Sequence, residues 1–170
     1  MVANTDNTKE WGTFERIIVQ YWSELDGLGD FRPLQPAYIP TGLRLEQLGF
    51  HYLPIPTGIK PPTKRNGVVI AVYLSDDGFV IFRHGWGMGP PASIADTVPH
   101  GVSAIGPLVA TWIRGREPGG VGPPKSTKPD EVYLRLGWRP EPRGSAGPGW
   151  LLTTDCLPLE ELERMAVSLN

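Results

Sequence analysis

The stretch GVVIAVYLSDDGFVIFRH, residues 67–84, contains the clearest structural signal in the sequence. Its first half is apolar through Leu74, which is typical of a central strand that is covered on both faces. Its second half, FVIFRH, is again mainly apolar. Between the two halves lies SDDG, where we expect Asp77 and Gly78 to supply the positive backbone angles of a tight turn. The stretch therefore predicts a β-hairpin.

Other short apolar segments lie on both sides of this hairpin, and their side chains alternate with the period of two that is typical of strands. They are separated by loops that contain most of the 21 glycines and 19 prolines of the chain. These connections are too short to hold crossover helices, so we expect antiparallel pairing. The segments predict an antiparallel meander of five to seven strands within residues 34–154. They include Leu48, Phe50 and Tyr52, then residues 108–113, 132–138 and 150–154.

Two segments have the period of a helix instead. The first predicts an amphipathic helix over residues 10–26 that ends at the glycines of DGLGD. The second predicts a helix over residues 158–169, with Pro158 at the first helical position. The apolar positions of the first are Trp11, Phe14, Ile18, Trp22 and Leu25, and those of the second are Leu159, Leu162, Met165, Ala166 and Leu169.

Together these patterns predict a single α+β domain covering residues 1–170, with an N-terminal helix, an antiparallel meander and a C-terminal helix. A chain of 170 residues that is 40% apolar is large enough to bury one core. On the sheet we expect burial of Val68, Ile70, Val72, Phe82, Trp112, Leu134 and Trp138. On the helix faces we expect burial of Phe14, Ile18, Leu162 and Met165.

Composition argues against several classes of function. The net charge of -2 provides no positive field, so we expect no nucleic-acid partner. The polar N-terminus and the lack of a long apolar run predict a soluble chain with no export signal and no membrane span. Cys156 is the only cysteine, and His51, His84 and His100 lie far apart, so we expect no metal site and no cofactor. These features do not assign the protein to a cellular compartment.

No segment forms a specific catalytic pattern, so we assign no catalytic residue. His100 and Ser103 lie close in sequence, but their spacing is not that of a nucleophile elbow. Four arginines on or beside the predicted strands are able to converge on one anion. We interpret them instead as solvated residues on a sheet face or edge. They are Arg83, Arg114, Arg135 and Arg139.

The loop after the hairpin, RHGWGMGPPAS, combines aromatic, thioether and basic side chains with glycines that let a ligand approach the backbone. We hypothesise a ligand site here, in which Arg83 and His84 orient the polar end of a ligand while Trp86 and Met88 cover its apolar part. The alternative is a proline-braced connection with Trp86 packed on the sheet.

The order of five pieces resembles a bacterial domain of unknown function. They are PAYIPTGL, VYLSDDGFVIF, VSAIGPLVATW, LRLGW and LPLEELERMAVSL. That domain forms the C-terminal, extracytoplasmic part of anti-sigma-factor-like membrane proteins and lipoproteins, and is similar to lipoprotein-carrier-like folds. The resemblance covers residues 36–169. This sequence differs by the absence of a membrane anchor and by the insertion of PIPTGIKPPTKRN at residues 54–66.

The resemblance implies a curved sheet backed by a helix and used for binding or sensing. It also implies an extracytoplasmic location if the natural chain continues before residue 1. It transfers no catalytic residue to this sequence.

We therefore expect a non-enzymatic binding or sensor module whose ligand is apolar or a peptide and lies on one face of the sheet. One alternative is a small enzyme with a site assembled from dispersed polar residues around Arg83, His84 and Asp155. Another is a domain that docks a protein partner on an exposed sheet edge. A convergent pocket of titratable groups would favour the enzyme, and an apolar groove would favour the binding module.

Overall fold

The computed structural model describes residues 2–7, 13–53, 66–91, 93–115, 129, 132–140 and 147–170, with the side chains of residues 2–7, 13 and 14 left out. Within these ranges the chain forms nine β-strands, a short 3₁₀ helix and one α-helix. They are β1 Val2–Asn7, β2 Thr13–Val19, η1 Trp22–Leu25, β3 Arg44–Tyr52, β4 Gly67–Ser75, β5 Gly78–Gly85, β6 His100–Ile105, β7 Leu108–Arg114, β8 Leu134–Trp138, β9 Gly149–Thr154 and α1 Leu159–Val167.

All of these strands belong to one antiparallel sheet with the order β1-β2-β3-β4-β5-β9-β8-β7-β6. The first five strands pair consecutively, and so do the last four. The two meanders meet where β5 pairs with β9, from Val80 opposite Thr154 to Gly85 opposite Gly149. The β5–β9 junction therefore joins two local units into one continuous sheet.

The prediction of an N-terminal helix over residues 10–26 is wrong. Residues 13–19 form β2, followed by the single turn η1, so the fold is mostly sheet and not the predicted α+β arrangement of five to seven strands between two helices. The β-branched run Ile17-Ile18-Val19 favours an extended backbone. Pairing with β3 buries Ile17 opposite Phe50. The apolar stripe of the predicted helix does not include Ile17, so such a helix would not bury it. Trp11 and the Phe14 side chain lie outside the described part.

The predicted hairpin of residues 67–84 is present as β4 and β5. Its turn lies one residue earlier than expected, because Asp76 and Asp77 form the turn and Ser75 pairs with Gly78. No described residue other than glycine has a positive φ, so Asp77 does not supply a positive angle. Gly78 is required for space: a Cβ atom there would collide with the Asp155 carboxylate.

One side of the sheet, which we call the core face, carries the main hydrophobic core. Phe50, Phe82 and Leu152 are fully buried on it. It is covered by α1 and by residues 22–43, which include the packed side chains of Trp22, Phe31, Leu34 and Tyr38. Each large apolar side chain buried in this way contributes about 1.5–3 kcal/mol. The opposite side, which we call the outer face, carries a smaller cluster around Phe79, Ile81 and Tyr133.

Most positions predicted to be buried are at least partly so. Burial is nearly complete for Val68, Phe82, Leu134, Leu162 and Met165. Side chains that are only half-buried are Ile18, Ile70, Val72, Trp112 and Trp138. The C-terminal helix is present as α1, but Pro158 is its extended N-cap residue, with ψ of 165°, and not its first helical residue.

The two adjacent isoleucines of β2 provide a test of strand against helix. On β2, Ile17 faces the core and Ile18 faces outward, whereas the predicted helical stripe buries Ile18. We expect Ile17→Ala to lower the free energy of unfolding by about 2–4 kcal/mol and Ile18→Ala by about 1 kcal/mol or less. Urea denaturation of both variants measures the difference. A larger loss for Ile18→Ala would contradict the strand.

Candidate functional site

His84, one of the predicted ligand-binding residues, is part of the core. It is 2% exposed, and its Nδ1 accepts a hydrogen bond from the Leu34 backbone N–H at 3.0 Å. The Phe31 ring meets it edge-on, with 4.8 Å between ring centroids. Burial lowers the pKa of His84 to about 4, so the imidazole is neutral near pH 7. His84 thus attaches the segment around Leu34 to the sheet.

The other three predicted ligand-binding residues do not gather around His84. Arg83 lies next to it on β5 and so projects to the outer face. The Trp86 Nε1–H donates to Asp30 Oδ1 at 2.7 Å, and the Trp86 backbone N–H donates to the Gly67 carbonyl at 3.2 Å. Met88 is half-buried in the loop after β5. Arg83 and His84 are therefore on opposite sides of the sheet and do not orient the same ligand end.

Two glycines explain why the loop after β5 lies so close to the sheet. A Cβ atom at Gly149 on β9 would overlap the Met88 carbonyl oxygen, and one at Gly137 on β8 would lie 3.2 Å from the Pro90 nitrogen. The loop is thus packed on these two strands. This placement agrees with the proline-braced connection, while ligand binding by the loop stays a prediction.

The residues suggested for an enzymatic site are also separated. Asp155 Oδ1 accepts a hydrogen bond from the Phe79 backbone N–H at 2.8 Å, at the opposite end of β5 from Arg83 and His84. Ser103 is buried on the core face, while His100 is exposed. In the described part of the chain, no three His, Cys, Asp or Glu side chains lie together as a metal site would require.

An apolar groove lies between the β6–β7 turn and the end of α1. Its volume is about 290 Å³, and it is open to solvent on one side. Among the described residues that line it, none carries a titratable side chain. The lining consists of Leu34, Ile105, Gly106, Pro107, Leu108, Trp150, Ala166, Val167 and Leu169.

Three parts of the chain hold this groove in shape. The β6–β7 turn is tight, with Ile105 opposite Leu108, and Gly106 has the positive φ of 57° that such a turn needs. On the other side, Gln35 and Asn170 exchange backbone hydrogen bonds, at 3.0 Å for the Gln35 N–H and 3.3 Å for the Asn170 N–H. The chain after α1 is therefore tied to the segment that contains Leu34.

A second, polar cavity of about 260 Å³ lies nearby and includes Trp22, Asp26, Arg32 and Asn170 in its lining. Asp26 and Arg32 are both exposed, so water screens their charges. This cavity therefore does not have the buried titratable groups that would favour an enzyme.

The sequence predicted several parts of the apolar groove, but not that these parts lie next to one another in the fold. A strand over residues 108–113 and the apolar face of the last helix, with Ala166 and Leu169, were both expected. Leu34 and Trp150 join them only because the β5–β9 junction and the Gln35–Asn170 pairing bring distant segments together. No local pattern signals these contacts.

Searches of protein-family models, curated proteins and solved structures found no match to this chain. The resemblance to the extracytoplasmic domain of anti-sigma-factor-like proteins stays a prediction. Among the described residues, no helix combines the length and the apolar composition needed to cross a membrane.

The lowered pKa of His84 predicts a loss of stability in mild acid. Between pH 6.5 and about 4 the unfolded chain binds a proton that the folded chain does not, so the free energy of unfolding falls as the pH falls. The contribution of His84 is at most about 3 kcal/mol. In His84→Asn the amide oxygen replaces Nδ1 as acceptor and does not titrate, so this variant should lose less stability over the same window.

Urea denaturation of both proteins at several pH values measures this difference. The remaining titratable groups, including His51, are common to both proteins and cancel in the comparison. An identical pH dependence for wild type and His84→Asn would contradict the buried, neutral imidazole.

Proposed function

We propose that the protein is a non-enzymatic binding module that holds the apolar part of a ligand in the apolar groove. The observation that carries this proposal is the lining of the groove, which is apolar and contains no titratable side chain among the described residues. Burial of apolar ligand surface against such a lining is favourable. Acid–base or nucleophilic catalysis needs groups that this lining does not contain.

The size of the groove supports an amphipathic ligand. Its volume of about 290 Å³ is close to the lower end of the range for small-molecule sites, about 300–1,000 Å³. The groove therefore fits one apolar end of a ligand, such as part of an acyl chain or an apolar peptide side chain, while the rest of the ligand stays in solvent.

Two exposed valines provide a matched test. Val167 lines the groove and is 62% exposed, and Val102 on β6 is 72% exposed and does not line it. Val167→Glu places a carboxylate where apolar ligand surface should be buried, so we expect at least about tenfold weaker binding. Val102→Glu adds the same charge elsewhere and should leave the affinity unchanged. Titration of wild type and both variants with a panel of fatty acids and apolar peptides measures the affinities.

Thermal unfolding of each variant first establishes that it is folded. Perturbation of the Leu108 and Leu169 methyl signals in nuclear magnetic resonance spectra should accompany binding by wild type. Equal affinities for wild type and Val167→Glu would reject the groove as the site. Chemical conversion of any bound compound would reject the non-enzymatic class.

Docking of a protein partner on a sheet edge is the second candidate. It is supported by the position of β6 at one end of the strand order and by two exposed valines, Val102 on β6 and Val109 on β7. An extended peptide adds to such an edge through backbone hydrogen bonds. If a peptide loses affinity in Val102→Glu and keeps it in Val167→Glu, the edge and not the groove is its site.

A further inference from the structure

One wall of the apolar groove consists of two short segments that are joined to each other. Residues 34–38, which we call the strap, lie beside residues 168–170, and Pro36 forms an antiparallel bridge with Leu169. Backbone hydrogen bonds of 3.0 to 3.3 Å also join the two segments. Leu34 of the strap and Leu169 both line the groove. The strap and residues 168–170 therefore form one wall, opposite the β6–β7 turn.

The strap is attached to the sheet at His84 of β5. The Leu34 N–H donates to His84 Nδ1 at 3.0 Å. Among the described residues, no other hydrogen bond joins the strap to a strand of the sheet. Tyr38 donates instead to Ser168 Oγ through its backbone N–H and to the Glu161 carboxylate through its hydroxyl. The His84–Leu34 hydrogen bond is therefore the polar link between this wall of the groove and the sheet.

This link exists only while the imidazole is neutral. Nδ1 accepts a hydrogen bond when it carries no proton, whereas both ring nitrogens of an imidazolium are donors. Protonation would thus place two donors, Nδ1–H and the Leu34 N–H, against each other. The rings of Phe31 and Phe82 lie 4.8 Å and 6.3 Å from the His84 ring and offer no conventional acceptor. A buried donor without a partner is unfavourable, so the charged ring and the attached strap are incompatible.

No neighbouring charge stabilises the imidazolium while the strap is in place. Burial is the cause of the lowered pKa of His84, and no charged side chain contributes to it. Asp30 accepts from the Trp86 Nε1–H, and Glu24 accepts from two backbone N–H groups. Protonation of His84 therefore depends on exposure of its ring to water. The titratable or charged residues described on the elements around it are Glu24 and Asp26 at η1, Asp30 and Arg32 beside Phe31, and the core-face phenols Tyr52 on β3 and Tyr73 on β4.

We propose that protonation of His84 in mild acid releases the strap from the sheet and so weakens binding of an apolar ligand in the groove. The proposal rests on the proposed function, because the groove must first bind such a ligand. A ligand that contacts Leu34 and the opposite wall together binds best while the strap is attached. The ligand and the proton therefore favour different conformations of the same wall.

The direction of the pH dependence follows from the two environments of the ring. With the strap attached, the pKa of His84 is about 4, and on release it returns towards its ordinary value of 6.5. Between these two values the released conformation binds a proton that the attached conformation does not. Acid therefore increases the released population in this window, and the apparent affinity falls with the fraction of protein whose strap is attached. Above pH 7 the ring is neutral in both conformations and the effect disappears.

The Leu34 amide reports release of the strap without any ligand. Native-state hydrogen exchange measures its protection relative to an unstructured peptide at the same pH. We expect this protection to fall at least about fivefold from pH 7 to pH 4.5 in wild type, and less than about twofold in His84→Asn, whose amide oxygen accepts at both pH values. Because the release is local, Leu34 should be less protected at both pH values than the most protected amides of β3 and β4.

An uncharged probe, 1-octanol, measures the effect on ligand binding, because its charge does not change between these pH values. Binding is followed by the methyl signals of Leu108 and Leu169. We expect affinity at least about fivefold weaker at pH 4.5 than at pH 7 in wild type, and a change of less than about twofold in His84→Asn. His100→Asn is the matched control and should keep the wild-type pH dependence, because His100 is exposed on β6 and does not line the groove.

Circular dichroism first establishes that each protein is folded at pH 4.5, and the wild-type comparisons need no variant. Absence of saturable 1-octanol binding at pH 7 would reject the proposed function and this proposal with it. Binding that Val167→Glu weakens at pH 7, and that wild type retains in full at pH 4.5, would reject this proposal alone. Equal protection of Leu34 and the core amides would indicate global unfolding and overturn the proposal, as would the same pH dependence in wild type and His84→Asn.

Discussion

The pairing of β5 with β9 is the contact on which the rest of this structure depends. Every other pairing joins strands that are consecutive in sequence, whereas this one joins two separate meanders. The side chains around it strengthen the junction: Thr154 Oγ1–H donates to the Phe79 carbonyl at 2.8 Å, and the Asp155 carboxylate accepts from the Phe79 N–H. Phe82 and Leu152, directly opposite each other, are both fully buried. Without this junction, the two meanders would not share one core.

The same junction positions the apolar groove. Through β9 it places Trp150 beside the β6–β7 turn and α1, which completes the apolar groove. Through β5 it fixes the face of the sheet on which Arg83 lies, next to Val68 and Ile70 of β4. Strand alternation along β5 then places Phe82 and His84 on the core face and Ile81 and Arg83 on the outer face.

The sequence predicted the parts of this fold whose signals are local. The β4–β5 hairpin, the antiparallel pairing and α1 follow from alternation, turn residues and helical periodicity. The prediction of a helix in the N-terminal segment was wrong, although Phe14, Ile18, Trp22 and Leu25 have helical spacing. Pairing with β3 buries Ile17 and Val19 instead, and the helical spacing does not include these two residues. The prediction that Arg83 and His84 orient the same end of a ligand did not take into account that adjacent residues of a strand point to opposite faces. The apolar groove depends on contacts between segments that are distant in sequence, which no local pattern encodes.

Native-state hydrogen exchange on wild type and Leu152→Ala tests most directly whether the β5–β9 junction makes the two meanders one cooperative unit. Leu152→Ala removes core contacts at the junction and should destabilise the whole protein by about 2–5 kcal/mol. If the sheet is one unit, the most protected amides of β3 and β4 and those of β7 and β8 should all lose protection by this same amount. A loss confined to β6–β9, with β3 and β4 unchanged, would show that the two meanders unfold separately and would contradict the role assigned to the junction.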